Sequence, residues 1–390
     1  MRSRGQAGGY TEEPISRSLQ RSGTWGPQGP TRHGDAAQRA LRGIRRERMG
    51  ERSRGITISD VAAHAGVSPA SVSRVLNGRT SVDPDIVRKV QSSIATLGYA
   101  PSLVARSLVH GRNTTVAMVV PDLENPLFQG ILKGLSLAAA ADGYRVLVAD
   151  TAERVDDEEA IAIEARQRCD ALVLCAPRLP EAKLRRLVER TAPVVIVNRP
   201  LPDLDVPVVG VDYVRGIRDL VDHLVGLGHR RIAYVSGPET SASNAERLRG
   251  VDEALAMHPS VRIDLIAGGS RPEDGEAVAD AVVEAHRAGV TAIIAFNDLV
   301  ALGLLARLRE LGVHVPGELS VAGFDDVPMA RYATPRLTSM SVPRAEIGAQ
   351  AWERLRTLIG GGPAPHAVLF RPRLETREST TAPAAAGASA

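Results

Sequence analysis

From Thr115 to Gly323 short apolar runs alternate with longer amphipathic stretches. The runs Thr115–Val120, Arg145–Ala149, Ala171–Cys175, Val194–Val197, Arg231–Val235, Arg262–Ala267, Ala292–Ala295 and Leu319–Gly323 have strand length. Between them lie helix-length segments such as Phe128–Ala141, Asp212–Leu227 and Leu299–Leu311. Strands this apolar, separated by helices, predict parallel sheets covered on both faces. Eight of them over about 210 residues exceed what one small sheet holds, so the prediction is two doubly wound lobes.

The pattern before this region differs. Between Ile56 and Tyr99 three short helices are predicted, the first capped by Ser59 or Asp60 and closed by Gly66. Ser68 caps the second, with Pro69 at its first helical position, where a missing N–H costs nothing. Asp83-Pro84 repeats that device for the third, whose Ile86, Val90, Ile94 and Leu97 share one face before Gly98. Residues 1–54 are rich in Arg, Gly, Ser and Gln and have scarcely any apolar periodicity, so disorder is expected there. Met49, just before the first patterned segment, offers an alternative translation start. The resulting division is a basic extension over 1–54, a head over 56–101, a linker over 102–112, a two-lobed domain over 113–379 and a disordered tail over 380–390.

Composition narrows the class. With 390 residues, 44% of them hydrophobic, the chain can bury two or three cores. No apolar run approaches the roughly 18 residues of a membrane span, and no apolar segment follows Met1-Arg2-Ser3-Arg4 as a secretory signal would require, so a cytoplasmic location is expected. The two cysteines, Cys169 and Cys175, have no neighbouring His pair and read as reduced core thiols, with no metal or cofactor implied. The net charge of +3 hides an asymmetry: residues 1–112 carry 18 Lys/Arg against 8 Asp/Glu, while the remainder carries 30 against 37. A basic head on an acidic body points to a polyanionic partner for the head. No G-x-x-x-x-G-K, H-E-x-x-H or G-x-S-x-G occurs, and Gly226-Leu-Gly228 lacks the third glycine of a dinucleotide fingerprint, so nothing supports catalysis.

The segment from Thr57 to Gly78 carries the sharpest signal. Val61, Ala65, Val67, Val72 and Leu76 can bury the angle between two helices, Gly66 makes the turn, and the second helix turns Pro69, Ala70, Ser73 and Arg74 outward. Arg74 is the candidate reader of a base edge or phosphate, because its fork bonds either bidentately. A second set of candidates follows the strands, since ligands of parallel sheets sit outside the strands' carboxyl ends. Asn125 and Phe128 follow the first strand, Asp150 the second and Asn198 the fourth, while Asn297-Asp298 and Asp325 follow the last two. The competing reading is local: Asn297 or Asp298 as the cap of the helix at Leu299.

The Thr57–Gly78 segment resembles the DNA-binding head of the lactose-repressor (LacI/GalR) family almost residue for residue, and the similarity continues to Arg377-Glu378-Ser379. The resemblance implies an N-terminal all-α helix-turn-helix head, then an α/β two-lobed periplasmic-binding-protein-like domain. It implies a homodimeric transcription regulator, a repressor, on palindromic double-stranded operator DNA, controlled by a sugar-like or nucleoside effector. DNA contacts are assigned by it to Thr57, Ser68, Pro69, Ala70, Ser71, Ser73, Arg74 and Asn77. Tyr99–Leu108 matches the family's hinge, a helix too short to be stable alone, in which Ala105 and the wedge Leu108 would meet the minor groove. Arg247, in Asn244–Gly250, becomes the cationic contact to an effector hydroxyl or carboxylate; otherwise it reads as a surface ion pair. The chain departs from many relatives in its apolar Pro69-Ala70, in Ser102 at a hinge position often held by Asn, and in Ser270, where some relatives stack an aromatic. The last departure disfavours a purine. A periplasmic sugar-binding protein shares the two-lobed fold, and the head argues against it.

Overall fold

The computed structural model describes residues 56–76, 82–99, 113–201, 203–363, 365 and 367–384. The chain divides into two compact units, Met1–Pro101 and Ser102–Ala390.

In the first unit, helices α1 (Ile58–Ala65), α2 (Pro69–Leu76) and α3 (Pro84–Leu97) surround a core of Val61, Ala62, Ala65, Val72 and Val90. Val67 and Leu76 are only partly buried against it. Thr57, rather than Ser59 or Asp60, caps α1: its Oγ1 accepts from Asp60 N at 3.3 Å, and Thr57 N donates back to Asp60 Oδ2 at 2.8 Å. Asp60 therefore completes a capping box instead of capping the helix. Gly66 adopts φ 68°, the left-handed conformation that lets the chain turn sharply into α2. Asp83 caps α3 as predicted, accepting from Asp85 N at 2.8 Å. His64 Nδ1 and Ser93 Oγ, 2.9 Å apart, tie α1 to α3.

The second unit contains two six-stranded sheets. Lobe 1 is built from β1 (Thr115–Val120), α4 (Pro126–Ala141), β2 (Arg145–Asp150), α5 (Val155–Arg168), β3 (Ala171–Cys175), α6 (Glu181–Thr191), β4 (Val194–Val197) and β5 (Val208–Val211). Lobe 2 follows with α7 (Tyr213–Gly226), β6 (Arg231–Val235), α8 (Ala242–Met257), β7 (Arg262–Ile266), α9 (Pro272–Ala277), α10 (Ala279–Arg287), β8 (Ala292–Ala295), α11 (Asp298–Glu310), β9 (Ser320–Asp325) and β10 (Thr338–Ser341). The chain then returns through α12 (Arg344–Ile359) to add β11 (Ala367–Phe370) to lobe 1, and β12 (Arg373–Glu375) closes lobe 2. Strand orders are β11-β5-β4-β3-β1-β2 and β12-β10-β9-β8-β6-β7, parallel throughout except for the antiparallel β12. Helix α12 crosses α4 so closely that a Cβ on Gly134 would lie 2.1 Å from Ala345 O, and one on Gly348 the same distance from Ile131 O.

The two doubly wound lobes agree with the sequence, but four strands beyond the eight expected complete the sheets. β5 is an apolar run that Pro207 introduces and Gly210 interrupts. β10 reads as polar, yet Thr338 and Ser339 are fully buried because their hydroxyls bond internally, Ser339 Oγ donating to Asp298 Oδ1 at 2.6 Å. The tail boundary also moves. Thr380 and Thr381 belong to the folded body: Thr380 Oγ1 lies 3.1 Å from His223 Nε2, and Thr381 O lies 2.8 Å from His229 Nε2. Cys169 and Cys175 are buried and unpaired.

Candidate functional site

On the head, α2 starts after exposed Ser68, whose Oγ accepts from Ser71 N at 3.2 Å. Val72 points into the core, which leaves Pro69, Ala70 and Arg74 exposed and Ser71 and Ser73 half-buried. Thr57 is also exposed, its hydroxyl engaged in the cap. Asn77, Ala105 and Leu108 lie outside the described residues, as does the expected hinge after Tyr99.

In the body, the carboxyl ends of the strands meet in a cleft between the lobes. Asn125, Phe128, Asn198, Arg247, Asn297 and Asp325 line it, as does Ser270. All six of the first group are buried. Two expected members are elsewhere. Asp298 is wholly buried and holds the lobe 2 framework, accepting from Val327 N at 2.7 Å and Ser339 Oγ at 2.6 Å. Burial, with Asp325 adding to it, pushes its carboxyl well above the usual range. Asp150 is exposed and shapes the loop after β1, accepting from Leu123 N at 3.3 Å and Ala152 N at 2.9 Å.

The cleft turns on Arg247, one helical turn into α8. Ser241 caps that helix, and Asn244 fixes its start by accepting from Tyr234 Oη at 3.0 Å and Gly237 N at 2.9 Å. The Arg247 guanidinium carbon then lies 4.2 Å from the Tyr213 ring centre, 4.3 Å from Phe324 and 4.5 Å from Phe296. Three rings stabilise a desolvated cation through their faces. Its Nη1 donates to Ser243 O at 3.1 Å, its Nη2 stops 3.6 Å short of Asp325 Oδ1, and its Nε has no partner. It is a buried cation, not a surface ion pair.

Asp325 ends β9 with φ 103°, and Asn198 follows β4 with φ 59°, both in the left-handed region that penalises a side chain. Such strain costs of order 1–3 kcal/mol per residue and persists where it aims a group at a site. Asp325 Oδ1 and both amide atoms of Asn198 are buried without hydrogen bonds. Burial pushes the Asp325 carboxyl up to about 7, with Arg247 and Arg344 pulling the other way. The next residue contrasts with it: hydrogen bonds from Arg331 and Arg377 outweigh burial and hold Asp326 below its usual value.

Asn125 and Asn297 do double duty. Asn125 Oδ1 caps α4 at 2.9 Å from Leu127 N, and Asn297 Oδ1 caps α11 at 2.9 Å from Val300 N while its Nδ2 donates to Ser270 O at 2.9 Å. The cap and the cleft readings of Asn297 are thus compatible. Sequence reasoning missed Glu153, Arg178, Tyr213, Ser243 and Phe296. Phe296 and Arg178 follow β8 and β3 closely enough to have been found by the strand-end rule, whereas Tyr213 follows a strand that was not recognised. Arg178 is clamped to Glu153 by two bonds of 2.9 and 3.0 Å, and Glu158 holds its backbone N–H at 2.8 Å.

Comparison with known proteins decides the family. A model described as bacterial regulatory proteins, lacI family, matches residues 57–102, and one for a periplasmic binding protein-like domain matches 221–380. The HTH-type transcriptional regulator GalR of Salmonella typhimurium is 35% identical over 334 residues, covering 85% of this chain and 98% of that protein. The chain belongs to the lacI family of bacterial regulatory proteins. A lac repressor dimer bound to operator and the anti-inducer ONPF superposes with a TM-score of 0.76 at 25% identity, over 84% of this chain and all of that one. The complex of the regulator CelR with cellobiose gives 0.63 at 30% identity, over 83% of this chain and 99% of that one. As a lacI-family member, the protein is a helix-turn-helix transcriptional regulator with an effector-binding domain, and not an enzyme.

Proposed function

We propose that the protein is an operator-binding repressor whose interlobe cleft takes a sugar-like effector. One observation carries the effector reading: Arg247 Nε, Asp325 Oδ1 and the Asn198 amide are buried polar atoms without internal hydrogen bonds, on three residues that line one cleft. A native fold leaves such groups unpaired where a ligand supplies the bonds. Vicinal hydroxyls suit this set, because a carboxylate accepts, an arginine donates and an amide does both. Phe128 and Phe296 offer the apolar face on which a sugar ring rests. The cellobiose held by CelR is of that chemistry. The cleft volume is about 20 Å³, room for about one water, so an effector binds by parting the lobes.

On the head, Arg74 and the apolar pair Pro69-Ala70 would face the major groove, with Thr57, Ser68, Ser71 and Ser73 toward the backbone. Homodimerisation is supported by the equivalent open edges of the two sheets, β2 and β7. Leu147 and Val148 on β2 and Leu265 on β7 are exposed, and Leu265 reaches 61%. An exposed apolar edge strand calls for a partner. A thermal-shift panel of sugars and nucleosides tests the effector reading, because a ligand at a hundred times its Kd stabilises by about 2.7 kcal/mol. A hydroxylated ligand raising Tm, with the rise lost in Asp325→Ala, supports it; a panel without response overturns it.

A further inference from the structure

Lobe 1 has a second cavity, of about 270 Å³, beside the cleft. Its origin lies in the sheet. Helix α5 packs over β1, β2 and β3, but at β5 and β11 the loop between β4 and β5 takes over as cover. The loop brings Leu201, Leu204 and Val206 over Val208 of β5 and Leu369 of β11. Gly210, paired with Leu369 across the strands, adds no side chain to the floor; a Cβ there would lie 3.1 Å from Leu369 Cδ2.

The chemistry of the lining is one-sided. Its three charged side chains are engaged elsewhere: Arg199 Nη1 donates to Pro177 O at 2.7 Å, Asp212 Oδ1 caps α7 at 2.9 Å from Arg215 N, and Glu246 pairs with Arg249 at 2.9 Å. Besides the Tyr213 phenol, the remaining polar side chain is Asn198, buried, with neither amide atom hydrogen-bonded, and it lines both this cavity and the cleft. A cavity of about 150 Å³ lined by apolar side chains already takes benzene.

We infer that this cavity is a second ligand site, for a small neutral molecule with an aromatic or short aliphatic body and one hydroxyl or carbonyl head bonded to the Asn198 amide. The site shares Asn198 with the cleft but does not depend on the sugar reading of the cleft. The test is calorimetric titration of the full-length protein with benzyl alcohol and with toluene. Benzyl alcohol is expected to bind saturably, one molecule per chain. Leu369→Trp places an indole in the mouth from a position that is 60% exposed, and it should weaken binding at least tenfold while Tm stays unchanged. Asn198→Ala should weaken benzyl alcohol and leave toluene as it was. Heats that never saturate, or affinity unchanged in Leu369→Trp, overturn the site. Should benzyl alcohol bind as described while the whole sugar panel fails, the cavity stands and the cleft assignment falls.

Discussion

The head and the cleft solve opposite problems. The head buries five small apolar side chains and turns its working residues outward, where Pro69, Ala70 and Arg74 contribute nothing to the core. The cleft does the reverse. Its working residues are themselves buried, and Arg247, among three rings, is the largest fully buried side chain in the described residues. The head can therefore change its contacts at little cost in stability, whereas the cleft cannot lose Arg247 without disturbing the fold that holds it.

The largest test of that contrast is Arg247→Ala. It leaves Asp325 buried without its counter-charge and opens a void among Tyr213, Phe296 and Phe324, so unfolding of the body should become easier by about 3–5 kcal/mol. Denaturant titration measures it, and a loss below about 1 kcal/mol would place Arg247 outside the structural core. Arg74→Ala should leave stability unchanged and weaken specific DNA binding by about 1–3 kcal/mol if the residue reads a base edge. Competition between operator and random DNA measures this, equal loss on both making Arg74 a phosphate contact instead. Thr57→Ala removes one side of the capping box and should cost about 1 kcal/mol in the head, seen as a lower melting point of the head's transition.

The same contrast governs legibility. The head could be read because its start and stop signals are local: Gly66, Ser68-Pro69 and Asp83-Pro84 each do in the structure what they announce in the sequence. Even there the cap of α1 lies two or three residues before the Ser59 or Asp60 expected, since Thr57 and Asp60 act as a pair. The cleft was read from the rule that ligands gather at strand ends, which found Asn125, Asn198, Asn297 and Asp325. That rule cannot tell a residue facing the cleft from one facing back into its lobe, and so it included Asp298. It also misses any residue after an unrecognised strand, as with Tyr213 after β5. Of the strands overlooked, β10 is polar in sequence and buried because its hydroxyls bond internally, a property of tertiary partners such as Ser339 with Asp298, whereas β5 and β11 are apolar runs of only four residues.

Acid–base behaviour offers a smaller test. Asp325 sits near 7 in the fold, against about 3.9 in an unfolded chain. Its protonated form is thus favoured by folding: the contribution is full below about pH 4 and is lost as pH rises through about 7. Stability of the free body should decline over that window, and Asp325→Asn should flatten the decline. A sugar hydroxyl donating to the ionised carboxylate would draw its value down, so effector affinity should weaken as pH falls below about 7.

If reading DNA and sensing an effector reside in separable residues, titrating Asp325→Ala with an operator selected from random DNA, in the absence and presence of the sugar giving the largest thermal shift, separates the two. Operator affinity should stay within about twofold of the parent protein, with no response to the sugar, where the parent responds by about 5- to 150-fold. A variant that keeps the full sugar response, or that loses operator affinity without any sugar present, contradicts that separation.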